Sequence, residues 1–300
     1  MIVSREADLK VLDVLCRNPF TYFSIYELAK ISGLSHTWVY KVVKNLEEHD
    51  LVVSQNKRIK INLENTFAVK LKEMLDMQRI YETDLKKEIL EVFQIIADNY
   101  GDDLKNLCLI GSVVGMKHRK GSDIDFLLVT KKSRKDEYEQ FGLTRYENMN
   151  VIEFTPIEFD KKYLATDDFV ISSLYSLLIL FDDGFIIKYL QKPLPYPSSD
   201  IIRGKIKQLD TLRERIVINL KIRDYSNTKK ALVELLVQLA RIKLFKNRVV
   251  PRSKYELAKQ IKPIDRNIAK DLGTLLGNKI TNKKLIEMGE RYGFKSYRSI

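Results

Sequence analysis

The sequence predicts a multidomain α+β chain: a small helical domain closed by a β-hairpin, an α/β domain with a mixed sheet, and an α-helical bundle. Three observations carry that expectation. Hydrophobic spacing in the first 65 residues changes from helical to alternating, two short apolar strands flank residues 111–122, and after Pro193, Pro195 and Pro197 only helical stripes remain. A chain of 300 residues has room for about two or three domains. Its 45% hydrophobic and 31% charged content excludes disordered and fibrous architectures.

Leu9, Leu12, Val14, Leu15 and Cys16 stand near helical spacing, and Asn18-Pro19 ends that helix because proline disfavours helical geometry in the residue before it. Ser24 is positioned to cap a second short helix, Gly33 to supply its turn, and Ser35 to cap a third running to about His49. The third helix buries Val39, Val42, Val43 and Leu46 on one stripe. His36, Thr37, Tyr40, Lys41 and Lys44 fall largely on the other side, where they could meet a major groove. Trp38, one turn before Val42, reads as a core or core-edge residue. Leu51 to Val53 and Arg58 to Ile61 alternate as a hairpin across a polar turn.

Helix, turn, helix and hairpin together resemble a winged helix-turn-helix domain over residues 1–65. That resemblance implies that His36, Thr37, Tyr40, Lys41 and Lys44 read DNA bases, while the wing, with Arg58, touches phosphates. Winged helices also serve as protein-interaction modules, and this segment holds only 9 basic against 8 acidic residues. Such domains often read paired half-sites, so a homodimer is one outcome the sequence leaves open.

Residues 66–100 read as one or two helices, with Leu85, Ile89, Val92, Phe93 and Ile96 on one stripe, leading into a domain over 101–192. Leu107 to Ile110 is a short strand, followed by Gly111-Ser112, ten residues, and Asp123-Ile124-Asp125 opening a second strand. Side chains alternate across a strand, so Asp123 and Asp125 share a face. Paired carboxylates raise each other's proton affinity unless a cation joins them, and magnesium, which favours carboxylate and phosphate oxygens, suits such a pair. Gly111 permits close backbone approach, and Ser112 offers a hydroxyl and backbone N–H groups to a phosphate.

The Gly-Ser, ten-residue gap and Asp-x-Asp pattern resembles the signature of the DNA polymerase beta-like nucleotidyltransferases over about 100 residues. The resemblance implies that Asp123 and Asp125 hold two Mg²⁺ ions and that Gly111 and Ser112 cradle the triphosphate of an NTP, taken as ATP; Lys117, in the basic run that follows, is a further candidate for nucleotide binding. A nucleoside monophosphate would pass to an unidentified hydroxyl acceptor. A third carboxylate normally completes such a site, and Glu153 is assigned here as catalytic residue and metal ligand. Strand parity, however, puts Glu153 on the face opposite Asn150. If the family's acid aligns with Asn150 instead, only two carboxylates remain. The alternative function is then a DNA-binding transcriptional regulator with a degenerate, nucleotide-sensing transferase domain.

No Walker loop or GxGxxG is present, and His36, His49 and His118 lack zinc or nucleophile-base spacing. Cys16 and Cys108 are too few for a disulfide framework. Charged residues interrupt the first ten positions, and Phe169 to Phe181 is too short to span a bilayer and reads as a buried helix. No membrane partner and a cytoplasmic home are the expectations.

Helical patterns near 199–223, 227–246, 253–261, 264–276 and 281–292 make residues 193–300 a basic helical bundle, with 25 basic and 10 acidic residues from 194 onward. It resembles the substrate-binding bundle of kanamycin nucleotidyltransferase and the HEPN domains paired with minimal nucleotidyltransferases. No histidine follows position 118, so the arginine-histidine ribonuclease site of HEPN enzymes is lacking.

Overall fold

The structure is a computed structural model that describes residues 3, 5–111, 113–114, 123–252, 254, 256–277 and 280–293. The chain divides into two compact units, Met1–Leu194 and Pro195–Ile300.

The first unit opens with helices α1 (Glu6–Cys16), α2 (Ile25–Ser32) and α3 (His36–Glu48), then strands β1 (Val52–Gln55) and β2 (Arg58–Ile61). Local chemistry sets these ends. The Ser24 hydroxyl accepts from the Glu27 N–H while the Glu27 carboxylate accepts from the Ser24 N–H, a reciprocal pair that satisfies two otherwise orphaned donors of α2. Gly33 closes α2 at φ 71°. The antiparallel hairpin turns at Asn56 and Lys57, both at positive φ, as a tight two-residue turn requires. Val39, Val42, Val43 and Leu46 are buried, as their spacing predicts, but Trp38 is not a core residue: it is 48% exposed. Its position falls off the buried stripe, and the cations of Arg5 and Lys41 lie over its ring, 5.9 and 5.7 Å from the centroid.

Helices α4 (Thr66–Glu82) and α5 (Lys86–Tyr100) follow, then β3 (Leu104–Ile110), β4 (Ile124–Thr130), β5 (Met149–Phe154), α6 (Pro156–Leu164), α7 (Asp168–Tyr175), β6 (Leu177–Asp182) and α8 (Ile187–Leu190). The four long strands form one sheet in the order β5-β4-β3-β6. It is mixed, because β4 pairs antiparallel with β3 and parallel with β5. The expectation of one buried helix over Phe169 to Phe181 is corrected: Ser176 ends α7, and Leu177 onward pairs with β3 as an edge strand. A continuous apolar run fits a buried helix or a buried strand equally well by pattern alone.

One face of the sheet packs Leu107, Leu109, Ile124, Phe126, Leu128, Leu178 and Leu180 against Ile89, Val92, Ile96 and Tyr100 of α5. Over the other runs a buried ionic network. Lys72, 1% exposed, donates to Asp76 at 2.7 Å and to the Cys16 carbonyl at 3.2 Å. Asp76 also accepts from Arg79 at 3.0 Å and from the Ile179 N–H at 3.1 Å, and Arg79 reaches Asp13 at 2.9 Å. Helices α1 and α4 and strand β6 are thereby cross-linked.

The second unit holds α9 (Ser199–Lys221), α10 (Tyr225–Lys246), α11 (Leu257–Ile261), α12 (Arg266–Leu276) and α13 (Asn282–Gly293). Its own core joins Leu209, Leu212 and Ile216 of α9 to Leu232, Leu235, Leu236 and Leu239 of α10 and Leu272 of α12. No described helix of the chain is long and apolar enough to cross a membrane.

Candidate active site

The site is assembled where β3 ends beside the start of β4. In the antiparallel register Ile110 lies opposite Asp125, and in the parallel register Asp125 lies opposite Asn150 of β5. Asp123 precedes the first residue of β4 and is exposed, whereas Asp125 is half-buried within it. Gly111 follows β3 at φ 79°, and a Cβ there would stand 2.5 Å from Asp125 Oδ2. Glycine is thus required twice over, for the left-handed backbone and for the carboxylate packed against it.

Burial raises the proton affinity of Asp125 above the usual carboxylate range. The hydrogen bond from Asn150 opposes that rise, and the neighbouring charge of Asp123 adds to it. The Asn150 amide donates to Asp125 Oδ1 at 3.3 Å. Two carboxylates near enough for one to raise the other's proton affinity make a donor set that a divalent cation suits. Among the described residues no group of three or more His, Cys, Asp and Glu is placed to hold a metal ion.

Glu153 does not join these carboxylates, and its assignment as catalytic residue and metal ligand is corrected. It lies opposite Leu128 on the other face of the sheet and is 1% exposed. Five donors surround it: the hydroxyls of Thr130 (2.7 Å), Tyr100 (3.0 Å), Ser133 (3.1 Å) and Tyr138 (3.1 Å), and the Arg134 N–H (3.2 Å). Parity is the physical reason, since three residues along a strand exchange the faces. Asn150 takes the place beside Asp125. Ser112 and Lys117 lie outside the described residues. Glu158 and Asp167 cap α6 and α7.

Residues 89–224 match the family model for a nucleotidyltransferase domain. The match covers 136 of the 300 residues. It runs from α5 through the mixed sheet to the end of α9. Two solved structures are among those that match, both at low identity. A spectinomycin adenyltransferase of Enterococcus faecialis, solved with ATP and spectinomycin, shares 13% identity at a TM-score of 0.45, covering 69% of this chain and 97% of its own. A nucleotidyltransferase-like protein of Exiguobacterium sibiricum shares 12% identity at a TM-score of 0.35, covering 67% of this chain and 71% of its own. No curated protein sequence matches the chain.

Outside the matched segment, His36, Thr37, Tyr40, Lys41 and Lys44 are all exposed on α3, and Trp38 is exposed among them. Arg58 is held within the chain: it pairs with Glu27 at 2.9 Å and donates to the Tyr22 carbonyl at 2.8 Å. Both cysteines are buried, with the Cys16 thiol pushed up to about 12 and the Cys108 thiol also raised, each chiefly by burial, so neither offers a thiolate nucleophile.

Proposed function

We propose that the protein transfers a nucleoside monophosphate from an NTP, taken as ATP, to a hydroxyl acceptor, releasing pyrophosphate. The observation that carries this reading is the packing of Asp125 against Gly111 at the strand-end turn of a nucleotidyltransferase domain, with Asp123 two residues away. Asp123 and Asp125 would hold Mg²⁺, the latter oriented by the Asn150 amide. When bound, the cation would neutralise phosphate charge and polarise the scissile phosphate. Mg²⁺ commonly takes only one or two carboxylates and fills its remaining positions with substrate phosphates and water, so two acids suffice for an ion that arrives with its nucleotide.

Gly111 lets the turn close against Asp125, and Ser112 and Lys117 in the following segment are proposed as the polar contacts of the phosphates. The Asn150 amide offers no anionic base for the acceptor's proton. Rate enhancement in this reading therefore rests on aligning the acceptor oxygen with the α-phosphate and on charge neutralisation. The test is pyrophosphate release from ATP with Mg²⁺. The Asp123→Ala/Asp125→Ala variant should show no release above background, and equal turnover by variant and parent would remove the site.

One observation favours a second reading, a DNA-binding regulator whose transferase domain senses nucleotide: Asn150, not a carboxylate, stands beside Asp125. The exposed row His36, Thr37, Tyr40, Lys41 and Lys44 would then enter a major groove in the manner of a winged helix, with a homodimer matching paired half-sites. Trp38 is the only tryptophan of the chain, so its emission reports on that helix alone. Duplex DNA should quench it, and Lys41→Glu/Lys44→Glu should abolish the quenching. Emission unmoved by saturating duplex would rule this reading out.

A further inference from the structure

Helices α10, α11 and α12 pack on one another within the second unit, and Lys243 near the end of α10 donates to Asp265, the cap of α12, at 2.7 Å. Residues 243–271, which they span, hold nine basic and three acidic residues. Every one of the three acids is already engaged. Glu256 pairs with Arg252 at 3.8 Å, Asp265 with Lys243 at 2.7 Å, and Asp271 with Arg291 of α13 at 2.8 Å. Asp265 is further committed as the cap of α12, accepting from the Asn267 and Ile268 N–H groups. Burial raises its proton affinity, but Lys243 and these N–H groups outweigh burial and hold the carboxyl below its usual range.

What remains is a surface of one sign. Lys246, Arg248, Lys259, Lys262, Arg266 and Lys270 are exposed, and none is ion-paired to a described residue. Arg266 and Lys270 stand four residues apart on α12, and Lys259 of α11 and its C-cap Lys262 three apart, spacings that set like charges side by side. Arg266 is also the first residue of α12, at the positive end of the helix dipole, where a cation is disfavoured and an anion favoured. An ordinary solvated face would intersperse acids here.

We propose that this end of the bundle binds a nucleic-acid strand through its phosphates. A strand supplies one anion per nucleotide in a continuous row, which a set of unneutralised cations over three adjoining helices matches. An anionic membrane fits less well, because the apolar residues of these helices, Leu257, Ile261, Ile268 and Leu272, are buried in the unit's own core and are not available for insertion. None of these residues lies within the matched segment 89–224 or on α3.

Fluorescence anisotropy of the full chain with labelled single-stranded RNA, single-stranded DNA and duplex DNA, across a salt series, tests this. Six phosphate contacts correspond to a slope of log K against log salt of about −4 to −5. The variant Lys259→Glu/Lys262→Glu/Arg266→Glu should bind at least about tenfold more weakly and lose about two units or more of that slope. Lys259→Gln/Lys262→Gln/Arg266→Gln, a milder change, should fall between, with unchanged circular dichroism showing that both variants fold. Lys221→Glu/Arg223→Glu/Lys230→Glu, which removes the same charge from exposed positions elsewhere in the unit, should bind like the parent. Equal loss in that variant would reduce the effect to net charge and overturn the proposal. So would loss through Lys41→Glu/Lys44→Glu alone, or binding to phosphatidylserine vesicles without binding to any nucleic acid.

Discussion

Asp125 is destabilised by its surroundings in the ion-free protein, and the sign of that effect is checkable. Its proton affinity is raised in the fold by burial first, so the folded protein holds the proton more tightly than the unfolded chain. Stability contributed by the protonated form is present at low pH and falls away as pH rises through the raised value. Asp125→Asn should therefore melt no lower than the parent at neutral pH without metal, while losing about a hundredfold or more of any transfer rate, a loss comparable to that of a single key electrostatic group. Calorimetry paired with pyrophosphate release separates the two effects, and a variant that melts well below the parent would contradict the first. Because protons compete for the ligand, the same raised affinity predicts that divalent-ion binding weakens as pH falls, and does so at a higher pH than an unperturbed aspartate would give. Glu153 reverses these expectations. Glu153→Ala leaves four hydroxyls and an N–H without their buried acceptor and should cost about 3 kcal/mol or more in urea unfolding, with metal affinity per folded molecule unchanged. Lost metal affinity without lost stability would return Glu153 to the site.

At the scale of elements, the buried ions of α4 decide how the N-terminal helices are fixed to the sheet. Asp76 is fully buried and joins Lys72, Arg79 and the backbone of β6, and Arg79 in turn holds Asp13 of α1. Removing the shared anion leaves buried Lys72 without a carboxylate and Arg79 with Asp13 alone, so Asp76→Ala should lose about 3–5 kcal/mol. Lys72→Met keeps the stem's packing volume and removes one charge from a network with two cations, and should cost less. A loss under about 1 kcal/mol for Asp76→Ala, read from urea midpoints at constant slope, would show the network to be dispensable. None of this was legible in the sequence, where Lys72, Asp76 and Arg79 look like ordinary surface charges at helical spacing. The elements announced by local chemistry were legible: the Ser24 to Glu27 cap, the Gly33 stop and the Gly111 turn each record a backbone demand in a side chain. Strand β6 was not, because an unbroken apolar run carries no period. The place of Glu153 was half legible, since parity assigned it to the far face while only the paired register showed Asn150 beside Asp125. Trp38 misled because an aromatic ring near a core stripe suits burial as well as exposure.

Across the whole molecule, charge and core are divided together. Unit Met1–Leu194 holds 27 basic and 30 acidic residues and Pro195–Ile300 holds 25 and 10, so the formal charges are −3 and +15. The hydrophobic cluster of the second unit draws all its members from Leu209 to Tyr292, with residues of α9, α10, α11, α12 and α13. Helix α13 comes close to α9 through small residues: a Cβ on Gly289 would stand 2.5 Å from Leu220 Cδ1, and one on Gly293 would stand 3.3 Å from Val217 Cγ2. A core closed on itself implies that residues 195–300 fold as an isolated fragment. For about 100 residues a two-state transition carries an enthalpy of about 60–80 kcal/mol near 60 °C. Excess positive charge repels itself in the compact state, and salt screens that repulsion over about 10 Å at 0.1 M. The fragment should accordingly melt at a higher temperature as sodium chloride rises from low to moderate concentration, whereas the fragment ending at Leu194, near neutrality, should shift little. Gly289→Leu, which forces a branched side chain into the α13–α9 contact, should lower the midpoint of the 195–300 fragment at every salt concentration. A 195–300 fragment with no cooperative transition at any salt would show that its core is incomplete without the rest of the chain.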